Sequence, residues 1–133
     1  MSESDLLFDT WAWWEYLHET KVGARLRDQY VVSGKSRIHT SAISLGEIAA
    51  QLAGQGARER VSEACGAIRR MSHIWDVTAD IAQEGGVARA KLRQYASQAS
   101  LADGIILATA QRAGARIVSN DPAFRGQPGT IRD

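Results

Sequence analysis

The sequence predicts an α/β fold with a mainly parallel central sheet. Short runs of apolar and β-branched residues alternate along the chain with longer segments in which the apolar residues follow helical spacing. Strands that are separated by helices cannot pair as hairpins, so they are expected to lie parallel, with helices on both faces of the sheet. The 133 residues, of which 44% are hydrophobic and 23% charged, suit one compact domain over residues 1–133.

The first half of the chain contains two predicted pairs of strand and helix. Residues 6–8 are typical of a buried strand that ends at Asp9, and the apolar spacing that follows predicts a helix over 11–20. The remaining elements of this half are a loop over 31–35, a strand over 37–40 and a helix over 43–52.

The second half continues the alternation. A helix over 101–113 is predicted to stop at Gly114, because glycine is favoured directly after a helix end. The remaining elements are a helix over 57–71, a strand over 74–77, one or two helices over 78–95 with a break at Gly85 and Gly86, a strand over 116–119 and a short edge strand over 130–131.

Charge and cysteine content narrow the classes of function. The 16 basic and 15 acidic residues leave a formal charge of +1, so attraction to nucleic acid must come from a local patch or a metal ion. The single cysteine, Cys65, cannot form an internal disulfide, and no apolar stretch reaches the ~18 residues that a membrane span requires. Because Met1 to Asp5 lacks the basic region of a signal peptide, the sequence predicts a cytoplasmic protein.

Four acidic residues are predicted to meet at the carboxyl edge of the sheet, where parallel α/β folds bind their ligands. Asp9 ends the first strand and Asp121 follows the fourth, while Glu47 falls in the first turn of the helix after the second strand. Asp103 opens the helix that leads into the fourth strand. Because crossover helices run opposite to the strands they connect, this helix is expected to begin at the same edge.

The same acids have an alternative interpretation as helix caps, since carboxylates favour helix N-termini for capping alone. Three sites have the spacing of such caps: Ser44 with Glu47, Ser100 with Asp103, and Asp121 before Pro122. Asp103, however, is surrounded by apolar residues, where a carboxylate needs a partner, a wet cleft or a cation. Gly104 beside it indicates close approach of another backbone or of a ligand.

Convergence of four carboxylates favours a divalent cation. Their mutual repulsion raises pKa values unless a cation offsets it, and an all-oxygen donor set suits Mg²⁺ or Mn²⁺. The three histidines, His18, His39 and His73, lack the spacing of zinc ligands and are expected to be surface or partly packed side chains. An acidic magnesium cleft is typical of phosphodiester hydrolysis.

Four segments together resemble a known family. They are residues 7–17 (LFDTWAWWEYL), 40–48 (TSAISLGEI), 101–110 (LADGIILATA) and 117–124 (IVSNDPAF). In order and spacing they resemble the PIN-domain ribonucleases, and among these most of all the VapC toxins of prokaryotic type II toxin–antitoxin pairs. The resemblance covers nearly the whole chain.

The resemblance implies a three-layer α/β/α fold with a sheet of about four to five strands. It implies a metal-binding acidic quartet made of Asp9, Glu47, Asp103 and Asp121, with Mg²⁺ as the metal and Mn²⁺ as a substitute. Ser119 occupies the position where the family commonly has a catalytic-site Thr or Ser, and Gly104 stands where family members commonly carry Ala. A homodimer, a cognate VapB-type antitoxin and RNA cleavage that inhibits translation and growth are further implications.

The residues leave alternatives open. A PIN-type nuclease could act in RNA processing or on DNA structures, and a non-catalytic domain could only bind a partner. A signalling receiver domain would use Asp76 as its phosphoacceptor. Receivers need paired acids after the first strand and a late Lys, whereas here Asp9 is followed by Thr10 and no Lys follows Lys91.

Three tryptophans follow Asp9 within one helical turn: Trp11, Trp13 and Trp14. Aromatic rings stack on unpaired bases. Because aromatic side chains also dominate cores and interfaces, two of the three are expected in core packing or in an antitoxin groove.

Overall fold

The structure is a computed structural model that describes residues 5–133. Residues 1–4, which belong to the segment predicted to lack a signal peptide, lie outside the described residues. The four strands are β1 (Asp5–Phe8), β2 (Arg37–Ser41), β3 (His73–Trp75) and β4 (Arg116–Val118). The six helices of this part of the chain are α1 (Thr10–Leu17), α2 (Lys21–Leu26), α3 (Ala42–Gly54), α4 (Val61–Met71), α5 (Ala79–Leu92) and α6 (Leu101–Ala113).

All four strands are parallel and follow the order β3-β2-β1-β4, which confirms the predicted parallel sheet. Leu7 of β1 pairs with His39 of β2 on one side and with Ile117 of β4 on the other. The receiver interpretation is wrong, because receivers have the order 2-1-3-4-5, with β1 between β2 and β3. The predicted edge strand at 130–131 is one parallel bridge, between Val118 and Ile131.

The two faces of the sheet carry separate hydrophobic clusters, as alternation along a strand requires. Leu6 and Phe8 of β1 face a cluster that includes Trp13, Leu26 and Ile48. Leu7, between them in sequence, belongs to a second cluster on the opposite face, whose other members come mainly from α5, α6 and β4. Helices therefore cover both faces, and the predicted three-layer α/β/α arrangement is confirmed.

The structure differs from the sequence predictions at two places. Helix α2, which continues as a π-helical segment over Arg27–Val31, lies between the predicted helix over 11–20 and the predicted loop over 31–35, where no element was predicted. A six-residue helix with a central Gly23 has almost no periodic signal of its own. Gly23 is required by packing, since a Cβ atom there would lie 2.0 Å from the carbonyl oxygen of Glu15. Helix α5 is also unbroken through Gly85 and Gly86.

Across residues 5–133, none of the helices combines the length and apolar character that a membrane span needs.

Candidate active site

Asp9 links β1 to α1 at the carboxyl edge of the sheet. It is the N-cap of α1, and its Oδ1 accepts a hydrogen bond of 2.8 Å from the amide of Ala12. Only 2% of the residue is exposed. The strand direction therefore places a carboxylate at the end of β1, and the cap fixes its orientation.

Ser119 and Asp121 approach Asp9 from the neighbouring strand β4. The hydroxyl of Ser119 donates a short hydrogen bond to Asp9 Oδ2 and accepts one of 2.9 Å from the amide of Asp121. Asp121 itself caps the short turn Pro122–Phe124 through the amide of Ala123, as the sequence predicts. Ser119 is fully buried, and it positions the carboxylate of Asp9 and the backbone of Asp121.

Glu47 reaches the same edge from α3, but from a different turn than predicted. The helix begins at Ala42 with Ser41 as its N-cap, so Glu47 lies in the second turn, and the predicted capping box of Ser44 and Glu47 is wrong. Ser41 is the last residue of β2 and takes the cap. The carboxylate of Glu47 therefore lies on the side of the helix, in its second turn, and takes no part in capping.

The hydroxyl of Thr10 holds the Glu47 carboxylate. Thr10 Oγ1 donates to Glu47 Oε1 at 2.5 Å and lies 3.0 Å from the Oγ of Ser44, which is fully buried. Thr10 is the donor in both contacts, and because its hydroxyl carries one proton, it donates to only one of the two acceptors at a time. Sequence reasoning missed both hydroxyl residues. Their signals are the position of Thr10 directly after Asp9 and the placement of Ser44 one helical turn before Glu47.

Asp103 opens α6 in the predicted capping box. The amide of Ser100 donates to its Oδ2 at 2.8 Å, and its own amide donates to the Oγ of Ser100 at 3.1 Å. The neighbouring Gly104 packs directly on α5, where a Cβ atom would lie 2.1 Å from the carbonyl oxygen of Gly85. The close approach predicted at Gly104 is therefore made by another backbone.

The four carboxylates border one cavity of about 570 Å³. Its walls are formed by Asp9, Thr10, Trp11, Trp14, Glu47, Ala50, Gln51, Asp103, Ile106 and Asp121. Three of the acids, Asp9, Asp103 and Asp121, are helix or turn caps and also border the cavity, so the two interpretations do not exclude each other. Capping fixes the backbone at each element end, and the parallel sheet brings those ends together.

Burial dominates the electrostatics of Asp9. It raises the pKa of this carboxyl from the usual 3.8 to about 7. The hydrogen bonds from Ser119 and from the Ala12 amide oppose the rise, while the negative charges of Asp121 and Asp103 add to it. A buried carboxylate beside other carboxylates is stabilised by a cation.

The pKa values of Glu47 and Asp103 are raised for the same reasons. Burial is the largest cause for both, and the hydrogen bond from Thr10 opposes it at Glu47. The charge of Asp121 raises both values further. Among residues 5–133, no Lys or Arg borders the cavity.

The donor set of the cavity fits a hard divalent cation. Every titratable side chain that borders it is a carboxylate, and oxygen ligands suit Mg²⁺ or Mn²⁺. Within residues 5–133, no three His, Cys, Asp or Glu side chains already stand close enough to share one ion. The hydrogen bonds to Thr10 and Ser100 hold Glu47 and Asp103 in their present orientations.

The histidines lie elsewhere. His39 is 5% exposed, more buried than predicted, and its ring bonds to Asp5 Oδ1 at 2.8 Å and to the indole of Trp75 at 3.0 Å. His18 and His73 are exposed. None of the three borders the acidic cavity.

Comparisons with known proteins agree with this architecture. No curated protein matches the chain significantly in sequence. A structure described as a toxin–antitoxin complex from Klebsiella pneumoniae is 25% identical, with a TM-score of 0.65 and coverage of 95% of this chain and 95% of the other. VapBC2 from Rickettsia felis, bound to a promoter DNA fragment, is 18% identical, with a TM-score of 0.72 and coverage of 97% of both chains.

A third structure is VapC20 from Mycobacterium tuberculosis, described as a toxin that cleaves the sarcin-ricin loop. It is 21% identical, with a TM-score of 0.65 and coverage of 91% of this chain and 95% of the other. These neighbours confirm the resemblance in fold to VapC toxins. The family model for the PIN domain matches residues 6–128. The chain therefore belongs to the PIN domain family.

Proposed function

We propose that the protein is a Mg²⁺-dependent endoribonuclease, the toxin of a toxin–antitoxin pair, with Mn²⁺ as a substitute metal. One observation carries the proposal: four carboxylates from separate elements border a single cavity at the carboxyl edge of a PIN-domain sheet. A cavity of this composition suits a metal-assisted phosphodiester hydrolase.

Asp9, Asp103 and Asp121 would hold the metal, and Glu47 would bind it or orient the attacking water. The bound cation would neutralise charge on the phosphodiester and activate water. Mg²⁺ keeps several waters and often needs only one or two carboxylates. A wet acidic cavity therefore fits this ion without three carboxylates in direct contact.

The chain's own hydroxyl groups prepare the site. Ser119 orients Asp9 through a hydrogen bond and sets the position of the Asp121 backbone. Thr10 accounts for the orientation of Glu47, so that this carboxylate can accept a proton from a water molecule at the cavity. Asp9 is buried, and the lower dielectric around a buried group strengthens its own interactions with nearby charges.

The partner assignments belong to the same proposal. The Klebsiella pneumoniae structure is a toxin–antitoxin complex that matches 95% of this chain. This supports a cognate antitoxin that restrains the nuclease until it is released, after which RNA cleavage inhibits translation and growth. The protein is also proposed to form a homodimer, which sedimentation of the purified protein tests.

The test is incubation of the purified protein with total cellular RNA in Mg²⁺, in Mn²⁺ and in EDTA, followed by sequencing of the fragment ends. We expect discrete cuts that require the divalent ion. Parallel arms with single-stranded and branched DNA test the alternative nuclease function. Intact RNA in every arm, from folded protein freed of its antitoxin, would reject the proposed activity and favour a partner-binding domain.

A further inference from the structure

Two of the three tryptophans after Asp9 border the acidic cavity. Trp11 and Trp14 lie three residues apart and so share one face of α1. Trp13 belongs to the opposite face. It is fully buried, its ring centroid lies 4.9 Å from that of Phe8, and its indole donates to Thr40 Oγ1 at 2.9 Å. The core therefore holds one tryptophan, and the cavity wall holds two.

The two tryptophans of the cavity wall pack against the core and remain partly accessible. Both are partly exposed and pack from behind against the hydrophobic cluster of Leu6 and Phe8. Within residues 5–133, the indoles of Trp13 and Trp75 donate to protein acceptors, whereas those of Trp11 and Trp14 find none. One face of the Trp14 ring packs against the imidazole of His18, at a centroid distance of 4.1 Å. The ring of Trp11, the remaining surface of Trp14 and both indole N–H groups are available to a ligand in the cavity.

The negative charge of the cavity repels the phosphate groups of a nucleic acid, so binding there needs an attraction that offsets this repulsion. Four carboxylates border it without a Lys or an Arg, and the whole chain carries a formal charge of only +1. A metal ion offsets this repulsion at the phosphate alone. The flanking nucleotide needs an attraction that does not depend on charge, and base stacking on an aromatic ring supplies one.

We infer that Trp11 and Trp14 form a stacking site for an unpaired nucleobase beside the scissile phosphate. This inference rests on the proposed function. Bases in an A-form duplex are stacked on each other inside the helix, so only a single-stranded segment or loop can offer one.

Gln51 adds a means of reading the base. It is exposed on α3 and borders the same cavity as the two tryptophans. Its amide offers both a donor and an acceptor, which is the pair of groups that recognises base edges. A base stacked on the tryptophans therefore lies in the same cavity as a side chain that can distinguish one base from another by hydrogen bonding.

The test measures binding of a 12-nucleotide single-stranded RNA that spans a cut site mapped by the cleavage experiment. Asp103→Asn provides a cleavage-deficient background for fluorescence anisotropy. Trp11→Leu and Trp14→Leu are each expected to weaken binding about tenfold. Trp14→Phe keeps an aromatic face and retains most of the affinity, and Trp75→Phe, outside the cavity, is the matched control and binds as the parent.

Oligonucleotides with one abasic position identify the stacked base. At one position next to the cut, removal of the base is expected to weaken binding to the parent about tenfold and to cost the Trp14→Leu variant nothing more. Because this comparison combines a change in the RNA with a change in the protein, its result does not depend on differences in folding stability between the variants. Thermal unfolding of each variant confirms that it is folded.

The outcomes separate this inference from the function on which it rests. If the wild type cuts RNA while both Leu variants bind as the parent, the stacking site is refuted and the nuclease stands. Leu variants that keep RNA affinity and lose the antitoxin would refute it too, and would assign the tryptophans to protein docking. A wild type that neither binds nor cuts RNA would remove both proposals.

Discussion

Gly85 and Gly104 bring helices α5 and α6 into backbone contact directly beside Asp103. A Cβ atom at position 104 would lie 2.1 Å from the carbonyl oxygen of Gly85, and one at position 85 would lie 2.6 Å from a side-chain carbon of Ile105. The glycine at 104 is therefore a packing requirement of this chain. An alanine at position 104 would need a wider spacing of the two helices.

Gly104→Ala is accordingly expected to destabilise the protein, by about 1–3 kcal/mol as in overpacked cores. The matched control is Gly86→Ala on the same pair of helices, where a Cβ atom meets nothing within 4 Å. That control is expected to stabilise by about 0.5–1 kcal/mol, because alanine is the better helix former. Urea unfolding checks both, and a Gly104→Ala variant as stable as Gly86→Ala would show that the contact is not as described.

Thr10→Val tests the hydroxyl that holds Glu47. The substitution keeps the shape of the side chain and removes the donor, so cleavage is expected to fall roughly 10- to 100-fold, the range typical of groups that orient a metal-site ligand. Thr10→Ser restores the donor and should recover most of the rate. Single-turnover cleavage at saturating RNA measures the effect. Equal rates for the Val and Ser variants would show that Glu47 needs no such support.

Ser119→Ala tests the link between the two neighbouring acids. It removes the hydrogen bond that lowers the pKa of Asp9 and the acceptor for the Asp121 amide. We expect weaker Mn²⁺ binding and slower cleavage, each by roughly 10- to 100-fold. Calorimetric titration with Mn²⁺ is the measurement. Unchanged affinity would assign Ser119 to packing alone.

Burial of Asp9 predicts a pH-dependent cost to stability in the metal-free protein. Its pKa is about 7 when folded and near the usual 3.8 when unfolded, so the unfolded state loses its proton first and stability falls as the pH rises from 4 to 7. The displacement of this pKa from 3.8 to about 7 corresponds to about 4 kcal/mol. Asp9→Asn removes this cost above pH 7 and changes nothing below pH 4.

Thermal unfolding in EDTA at pH 4 and at pH 8 measures the difference. The Asn variant should unfold at a higher temperature than the wild type at pH 8, and the two should converge at pH 4. A wild type that is the more stable protein at pH 8 without metal would contradict the burial of an unpaired carboxyl at this position.

The sequence is sufficient to predict the architecture and which acidic residues border the cavity, while their role in metal binding and cleavage stays a prediction. Alternation of strands and helices fixes a parallel sheet, and a parallel sheet sends the residues after β1, β2 and β4 to one edge. The four acidic residues therefore converge because of the sheet topology, which can be inferred from the order and spacing of the predicted strands and helices. Capping by Asp121 and Asp103 was also predictable, because helix caps depend on the local sequence.

Details that depend on packing were not predictable. Helix α2 is held in place by Gly23 against Glu15, a contact that leaves no periodic pattern. The second-turn position of Glu47 depends on Ser41 taking the cap from Ser44, and both serines have suitable chemistry. Which tryptophans face the core and which border the cavity depends on the rotation of α1 about its own axis. Packing of the helix on the sheet, including the contact between Trp13 and Phe8, determines that rotation.

The most direct test of the central claim compares cleavage of RNA by four single variants: Asp9→Asn, Glu47→Gln, Asp103→Asn and Asp121→Asn. Because each removes one charge from a shared site, every variant is expected to lose about 100-fold or more of the wild-type rate. Asp76→Asn, at an exposed acid that does not border the cavity, is the matched control and should cleave at the wild-type rate. Wild-type cleavage by Asp103→Asn or Asp121→Asn would contradict the claim that the four carboxylates act as one site.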